Sequence, residues 1–385
     1  MVLASMKKLF YIGLAGIVVF EVLKVYFIMP MPGSQQMDSL NLAYFLHSSR
    51  WLFRMAFVAM IIAGAFKAFH IKHKWIPAVC LGAAMYVVYT FNFKMLAEEM
   101  FRQPANLSFK GRSQNLLTDS SIVIGVEYNG EAKAYPVRYI LYHHQVQDKI
   151  GGKPMIVTYC NVCRTGRVFE PTVNDHHEEF RLVGMDHFNA MFEDATTGSW
   201  WRQATGEAVA GPLKGQLLPE VVSSQLTLKK WFELYPEGMV MQVDEVSKEY
   251  YDSLGKFESG RSKGKLTRTD SLAWKDKSWV VGVQINDESK AYDWLGLKEA
   301  RIVNDIVGGK PIVIAVASDN QSFVAFERFT DADTFTIRND TLLTADRSYN
   351  LSGRDLGTLS GRLKSVKAYQ EFWHSWRTFH PNTKQ

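Results

Sequence analysis

GGKPMIVTYCNVCRTGRVFE, residues 151–170, and GGKPIVIAVASDNQSFVAFE, residues 308–327, align without a gap. In each, a GGKP turn leads into an apolar, strand-forming run, and a second strand-like run ends on Phe-Glu. The two differ in chemistry. Ala317 stands where Cys160 does, and Asn320 where Cys163 does. A long-range repeat of this kind constrains the architecture before any local reading does.

The likeness extends outward from the GGKP turns. IVIGVEYNGEAKAY from Ile122 matches VVGVQINDESKAY from Val280. Asn129-Gly130 predicts a tight hairpin turn, because both central residues of a type I′ turn need positive φ. Pro136 ends the second strand of that hairpin, and Val137 to His143 has the length of a short helix. Each copy closes on an aromatic helical segment, Leu226–Tyr235 and Ala368–Phe379, whose Trp and Tyr residues recur at helical spacing as core positions. The predicted fold is mainly β (α+β): two duplicated β-rich lobes, each closed by a C-terminal helix, preceded by three transmembrane helices. The expected domains are 1–97 in the membrane, 98–238 as the first lobe, 239–278 as a Gly/Ser/Lys-rich linker or long loop, and 279–385 as the cysteine-free lobe.

The membrane assignment rests on three apolar runs, roughly Leu9–Met29, Trp51–Phe69 and Trp75–Phe93. The first is long enough for a hydrocarbon core of about 30 Å, Arg54 and Lys67 near the ends of the second cut its uncharged part short, and the third carries no charged residue. Glu21 and Lys24 sit at i, i+3 in the first and are expected to pair on one helix face. Lys7 and Lys8 precede the first run, and Lys67, Lys72 and Lys74 cluster between the second and third, whereas 30–50 is almost free of Lys and Arg. By the positive-inside rule the N-terminus is cytoplasmic and the large C-terminal region is periplasmic or extracellular. The first run lacks a small-residue cleavage site and is read as a retained anchor in the cytoplasmic membrane.

The formal charge of +5 is small for 385 residues, with no basic run interleaved with aromatics, so nucleic-acid binding has no support. Glycine-rich phosphate loops, GxSxG and HExxH are absent, and no CxxCH announces covalent haem. Three cysteines do not make a disulfide scaffold, and Cys80 lies inside an apolar run.

IVIGVEYNGEAKAYPV, His143, the GGKP turn, TYCNVCRTGRVFE, Met191 with DATTGSWWRQATGEAVAGPLKG, and the second copy together resemble a prokaryotic family, the domain of unknown function 3179. The resemblance covers about residues 98–385 and implies no particular activity. Members commonly carry Pro after the first Cys and Gly after the second, where this chain has Asn161 and Arg164.

Three readings of the CxxC follow. The first is a soft-metal site. Residues present in the first copy and replaced in the second give Cys160, Cys163, His143 (opposite Ala300) and Met191 (opposite Leu342-Leu343), a donor set suited to copper. Without Met191, the Cys₂His set suits zinc with an open fourth position. The partner would then be a metal donor. The second is thiol–disulfide exchange with an exported protein, with Cys160 and Cys163 as the dithiol and Arg164 lowering a thiol pKa, although no helix follows the pair. The third is an interaction module whose cysteines form only a structural disulfide, which so short a loop makes an inefficient stabiliser. Ser199, Trp201, Gln203 and Glu207 match the family's second motif and are candidates to line a pocket near the cysteines. His176-His177 reads as a solvated hairpin tip.

Overall fold

The computed structural model describes residues 2–358 and 361–385. The chain divides into two compact units. One comprises the residues up to Arg102 together with Phe180–Arg202 and Ala208–Gln216; the other comprises Gln103–Glu179, Gln203–Glu207 and Leu217–Gln385.

The first unit holds three helical stretches long and apolar enough to cross a membrane: Met6–Tyr26, Arg50–Phe69 and Trp75–Lys94. Glycine brings the first two together. A Cβ on Gly13 would lie 2.8 Å from the Phe57 carbonyl oxygen, and one on Gly64 only 2.4 Å from the Phe10 nitrogen. Small residues at such a contact allow close backbone approach, which is what packs helices where no hydrophobic drive between them exists. Leu52, Ile62 and Phe66 remain exposed, giving an apolar outer surface suited to lipid.

The expected Glu21–Lys24 pair forms at 2.8 Å and belongs to a larger network. Arg54 of the second helix grips Glu21 with Nε at 2.6 Å and Nη2 at 3.1 Å. Asn92, within a π-helical turn Thr90–Lys94, donates to Glu21 at 2.9 Å and accepts from Lys24 at 2.7 Å. One fully buried carboxylate thus links three helices through charged or polar partners, the condition on which a buried charge is tolerated.

A four-stranded antiparallel sheet completes this unit, in the order 208–210, 200–202, 189–194, 180–186. Its Val183, Met191, Trp200, Val209 and Ala210 pack with Ile28 and Ala43. The Met185 N–H donates to the Ile28 carbonyl at 2.7 Å, and Arg181 pairs with Glu98 at 3.0 Å. Residues 180–202 and 208–216, assigned from sequence to the 98–238 lobe, therefore cluster with the N-terminal helices because their apolar face is buried there.

The second unit is mostly β. Among the described residues it has a five-stranded sheet, order 109–110, 239–241, 131–136, 122–128, 224–227, and a four-stranded one, order 220–221, 165–169, 153–160, 145–150. Three three-stranded sheets and a two-stranded hairpin follow. The Asn129-Gly130 turn has φ of 49° and 82°, as the sequence requires, and the short helix spans Val137–His143. Residues 172–177 form an exposed two-stranded hairpin around Asn174-Asp175.

The closing segments differ from expectation in their first turns. Ser224–Thr227 and Ala368–Phe372 are strands, and the helices begin at Leu228 and Trp373. Edge pairing wins over helical periodicity there: Leu226 faces Val123, and Gln370 faces Val281. The stretch 239–278 contains the strand Met239–Met241 and the short helices Lys248–Ser253 and Gly255–Glu258, with Tyr251 and Phe257 buried.

Corresponding parts of the two sequence copies pair alike. Val123 faces Pro136 as Val280 faces Asp293; Gln145 faces Thr158 as Ile302 faces Ala315; Ile156 faces Phe169 as Val313 faces Phe326. The Tyr135 hydroxyl donates to Asp148 at 2.6 Å, and that of Tyr292 to Asp305 at 2.7 Å. Trp231 lies on Gly125 and Trp376 on Gly282, where an added Cβ would sit 2.3 Å and 2.2 Å from the indole ring.

Two outcomes follow from these contacts. Gly282→Val forces the buried Trp376 to move and is expected to cost about 1–3 kcal/mol of stability, read by urea unfolding. Arg54→Leu leaves Glu21 without its two-pronged partner, and a loss of about 3–5 kcal/mol is expected as an earlier thermal transition in detergent. An unchanged transition would show that the network does not hold the helices.

Candidate dithiol site

The CxxC lies at the tip of an antiparallel hairpin formed by Lys153–Cys160 and Thr165–Phe169, with Cys160 opposite Thr165. The Arg164 N–H donates to the Cys160 carbonyl at 2.8 Å and closes the turn, with Arg164 in the left-handed region at φ 59°. This geometry aims both sulfurs inward. The Cys163 N–H points at the Cys160 sulfur at 3.4 Å, and the two side chains hydrogen-bond to one another. Both cysteines are free thiols and fully buried, so the cross-link of the structural-disulfide reading is not formed.

The surroundings come from the far end of the chain. Phe372 donates its N–H to the Cys163 carbonyl at 2.9 Å, and the fully buried Ser375 lies on the helix Trp373–Phe379 that follows. Lys277, 8% exposed, donates to the Val162 carbonyl at 3.0 Å and to His374 Nε2 at 3.1 Å. Burial lowers the Lys277 pKa, and the two cysteines beside it act in the opposite sense. Burial, then contact with Cys160, pushes the Cys163 thiol well above its ordinary value. Burial thus holds the proton on Cys163 next to a buried amine.

Below the turn, Arg167 donates to Glu371 at 2.9 Å, to Thr165 Oγ1 at 2.7 Å and to the Ala204 carbonyl at 3.2 Å. Gln203 Nε2 donates to Thr158 Oγ1 and to the Thr165 carbonyl, both at 3.1 Å. Gln203 therefore reaches the CxxC hairpin. Glu207 lies in the same unit and bridges to Leu217 across a short antiparallel contact.

The other candidates serve elsewhere. Ser199 and Trp201 belong to the first unit, where Asp194 Oδ2 accepts from the Ser199 N–H at 3.1 Å and from Trp201 Nε1 at 2.8 Å, bracing a turn. Met191 lies in that unit too, packed in its apolar core with Trp200 and Val183. His143 is buried in the second unit, its Nε2 sharing a hydrogen bond with the Tyr251 hydroxyl. Among the described residues, no group of three or more His, Cys, Asp or Glu is placed to hold a metal ion.

A family description, "Protein of unknown function (DUF3179)", matches residues 103–383. The chain belongs to this family. No curated protein and no solved structure matches it. The family match begins just past the third apolar helix and takes in the CxxC hairpin together with Lys277, Glu371, His374 and Ser375. Those four were not legible as site residues. No spacing links them to the cysteines, and only the pairing of distant strands brings them there.

Acid should weaken this region. Burial, aided by the Lys277 charge, pushes His374 down to about 4, and burial does the same to His144. The unfolded chain protonates such residues near 6.5, so their contribution is complete above that pH and is lost as pH falls through about 4. Urea midpoints at pH 7, 5.5 and 4.5 should decline, and His374→Gln should flatten the decline. A slope unaltered in that variant would remove His374 from the account.

Proposed function

We propose that this chain is a membrane-anchored thiol–disulfide redox protein whose working dithiol is Cys160–Cys163. The N-terminus is cytoplasmic and the family region lies on the outer side of the cytoplasmic membrane, as the distribution of basic residues around the three apolar helices supports. The observation that carries the reading is the meeting of two reduced thiols in one turn beside a buried lysine amine.

In exchange with an exported partner, one thiolate attacks the partner's disulfide and forms a mixed disulfide. The second thiolate then releases the partner. Cys160 and Cys163 are oxidised to one disulfide, the partner's disulfide is reduced to two thiols, and the two protons pass to the partner's sulfurs. Lys277, as an ammonium, stabilises the attacking thiolate. Because both cysteines are fully buried, the pair is exposed only when the segments packed over it are displaced.

A second reading keeps the same two sulfurs as ligands of a single Cu(I) ion. Two soft thiolates in contact favour it, and neither His143 nor Met191 is needed. In both readings the chain carries two copies of one β-rich lobe, the second having lost the thiols. The repeated strand registers, Tyr–Asp hydrogen bonds and Trp-on-Gly contacts support that duplication.

Full-length protein in detergent, equilibrated in glutathione buffers and trapped by alkylation, should show one two-electron transition between about −300 and −120 mV. Cys160→Ser should abolish it. Thiols that stay reduced throughout, with stoichiometric copper lost in Cys160→Ser, would replace the redox reading by the copper one.

A further inference from the structure

Within the second unit, a cavity of about 150 Å³ lies beside the CxxC turn, with Arg164, Tyr159, Trp279, Trp294, Gln225 and Gln370 in its walls. We infer that this cavity is a binding site for a small monocarboxylate, held by Arg164.

The state of Arg164 carries the inference. It is 4% exposed, yet among the described residues no carboxylate lies within ion-pair distance of it. Its Nη1 donates to the Phe257 carbonyl at 2.5 Å and its Nη2 to the Glu258 carbonyl at 3.1 Å, both neutral acceptors. The guanidinium carbon sits 4.4 Å from the centroid of Phe257 and 5.0 Å from that of Trp279. Its Nε is buried without any acceptor. The carboxylate on the same wall, Glu258, is occupied by Arg138 at 2.7 Å. A guanidinium so withdrawn from water is costly unless an anion meets it, and its planar fork matches a carboxylate.

The remaining walls fit the rest of such a ligand. Gln225 donates to Gln370 Oε1 at 2.5 Å, while Gln370 Nε2 has no partner among the described residues and offers a second donor. Tyr159, Trp279 and Trp294 supply flat apolar surface. A cavity of about 150 Å³ accommodates benzene, so it takes an organic acid of about six non-hydrogen atoms. Both copies contribute at corresponding positions, since Gln225 faces Ile124 as Gln370 faces Val281. The charge is one-sided, because Gln321 stands opposite Arg164 in the aligned sequences and lines the same cavity. The site needs no thiol chemistry and stands whether or not the dithiol is redox-active.

The test is titration of the full-length protein in detergent with sodium acetate and sodium lactate, following tryptophan fluorescence and the melting temperature. Sodium chloride at equal ionic strength and neutral lactamide serve as controls. Expected is a saturable response to at least one acid and none to chloride or lactamide. Arg164→Met should abolish the response, and Gln370→Leu should weaken it about tenfold. Absence of a saturable response to either acid overturns the inference, as does an equal response to lactamide or binding retained in Arg164→Met. If Arg164→Met proves unfolded by circular dichroism, Gln370→Leu decides, and unaltered affinity there overturns the assignment.

Discussion

One buried carboxylate organises the surroundings of the dithiol. Glu371, 1% exposed, accepts from Arg167 at 2.9 Å. Burial raises its pKa while Arg167, Thr165 and Ser375 act to lower it. A lone carboxylate at this depth would be strongly unfavourable, so these partners are structural requirements as much as contacts. Through Arg167 the CxxC hairpin is tied to the strand Ala368–Phe372.

This arrangement explains why the thiols are at once chemically poised and closed. The same strand that brings Glu371 to Arg167 brings the Phe372 N–H to the Cys163 carbonyl, and Lys277 and His374 fill the remaining side. A dithiol open to solvent would ionise and oxidise more freely. Here burial holds the Cys163 proton, and a buried amine stands ready to offset charge once a thiolate forms. Arg164 continues the turn into an aromatic cavity, so a residue that closes the CxxC backbone also faces a separate binding volume.

The N-terminal helices and a sheet are joined in a way that the order of the chain conceals. The strands from Phe180 to Ala210 follow the CxxC hairpin in sequence but bury their apolar face against Ile28 and Ala43. Met191 shows the consequence. Its loss from the second copy suggested a ligand, whereas its place in this core accounts for the side chain by packing.

The local and periodic features were determined by the sequence itself. Positive φ at Asn129-Gly130, the helix Val137–His143, three apolar spans and the mainly β character all depend on neighbours a few residues apart, and a sequence displays those neighbours directly. The paired cysteines were equally legible, because four consecutive residues suffice to bring two sulfurs together. Tertiary structure alone decided which residues face them. Lys277, Glu371, His374 and Ser375 arrive through strand pairing and the burial of charge across more than a hundred residues of chain, and nothing in their own sequence neighbourhoods marks the encounter. It also decided that Ser224–Thr227 and Ala368–Phe372 are strands, since an available sheet edge outweighs a helical pattern of aromatics once the backbone groups must be paired.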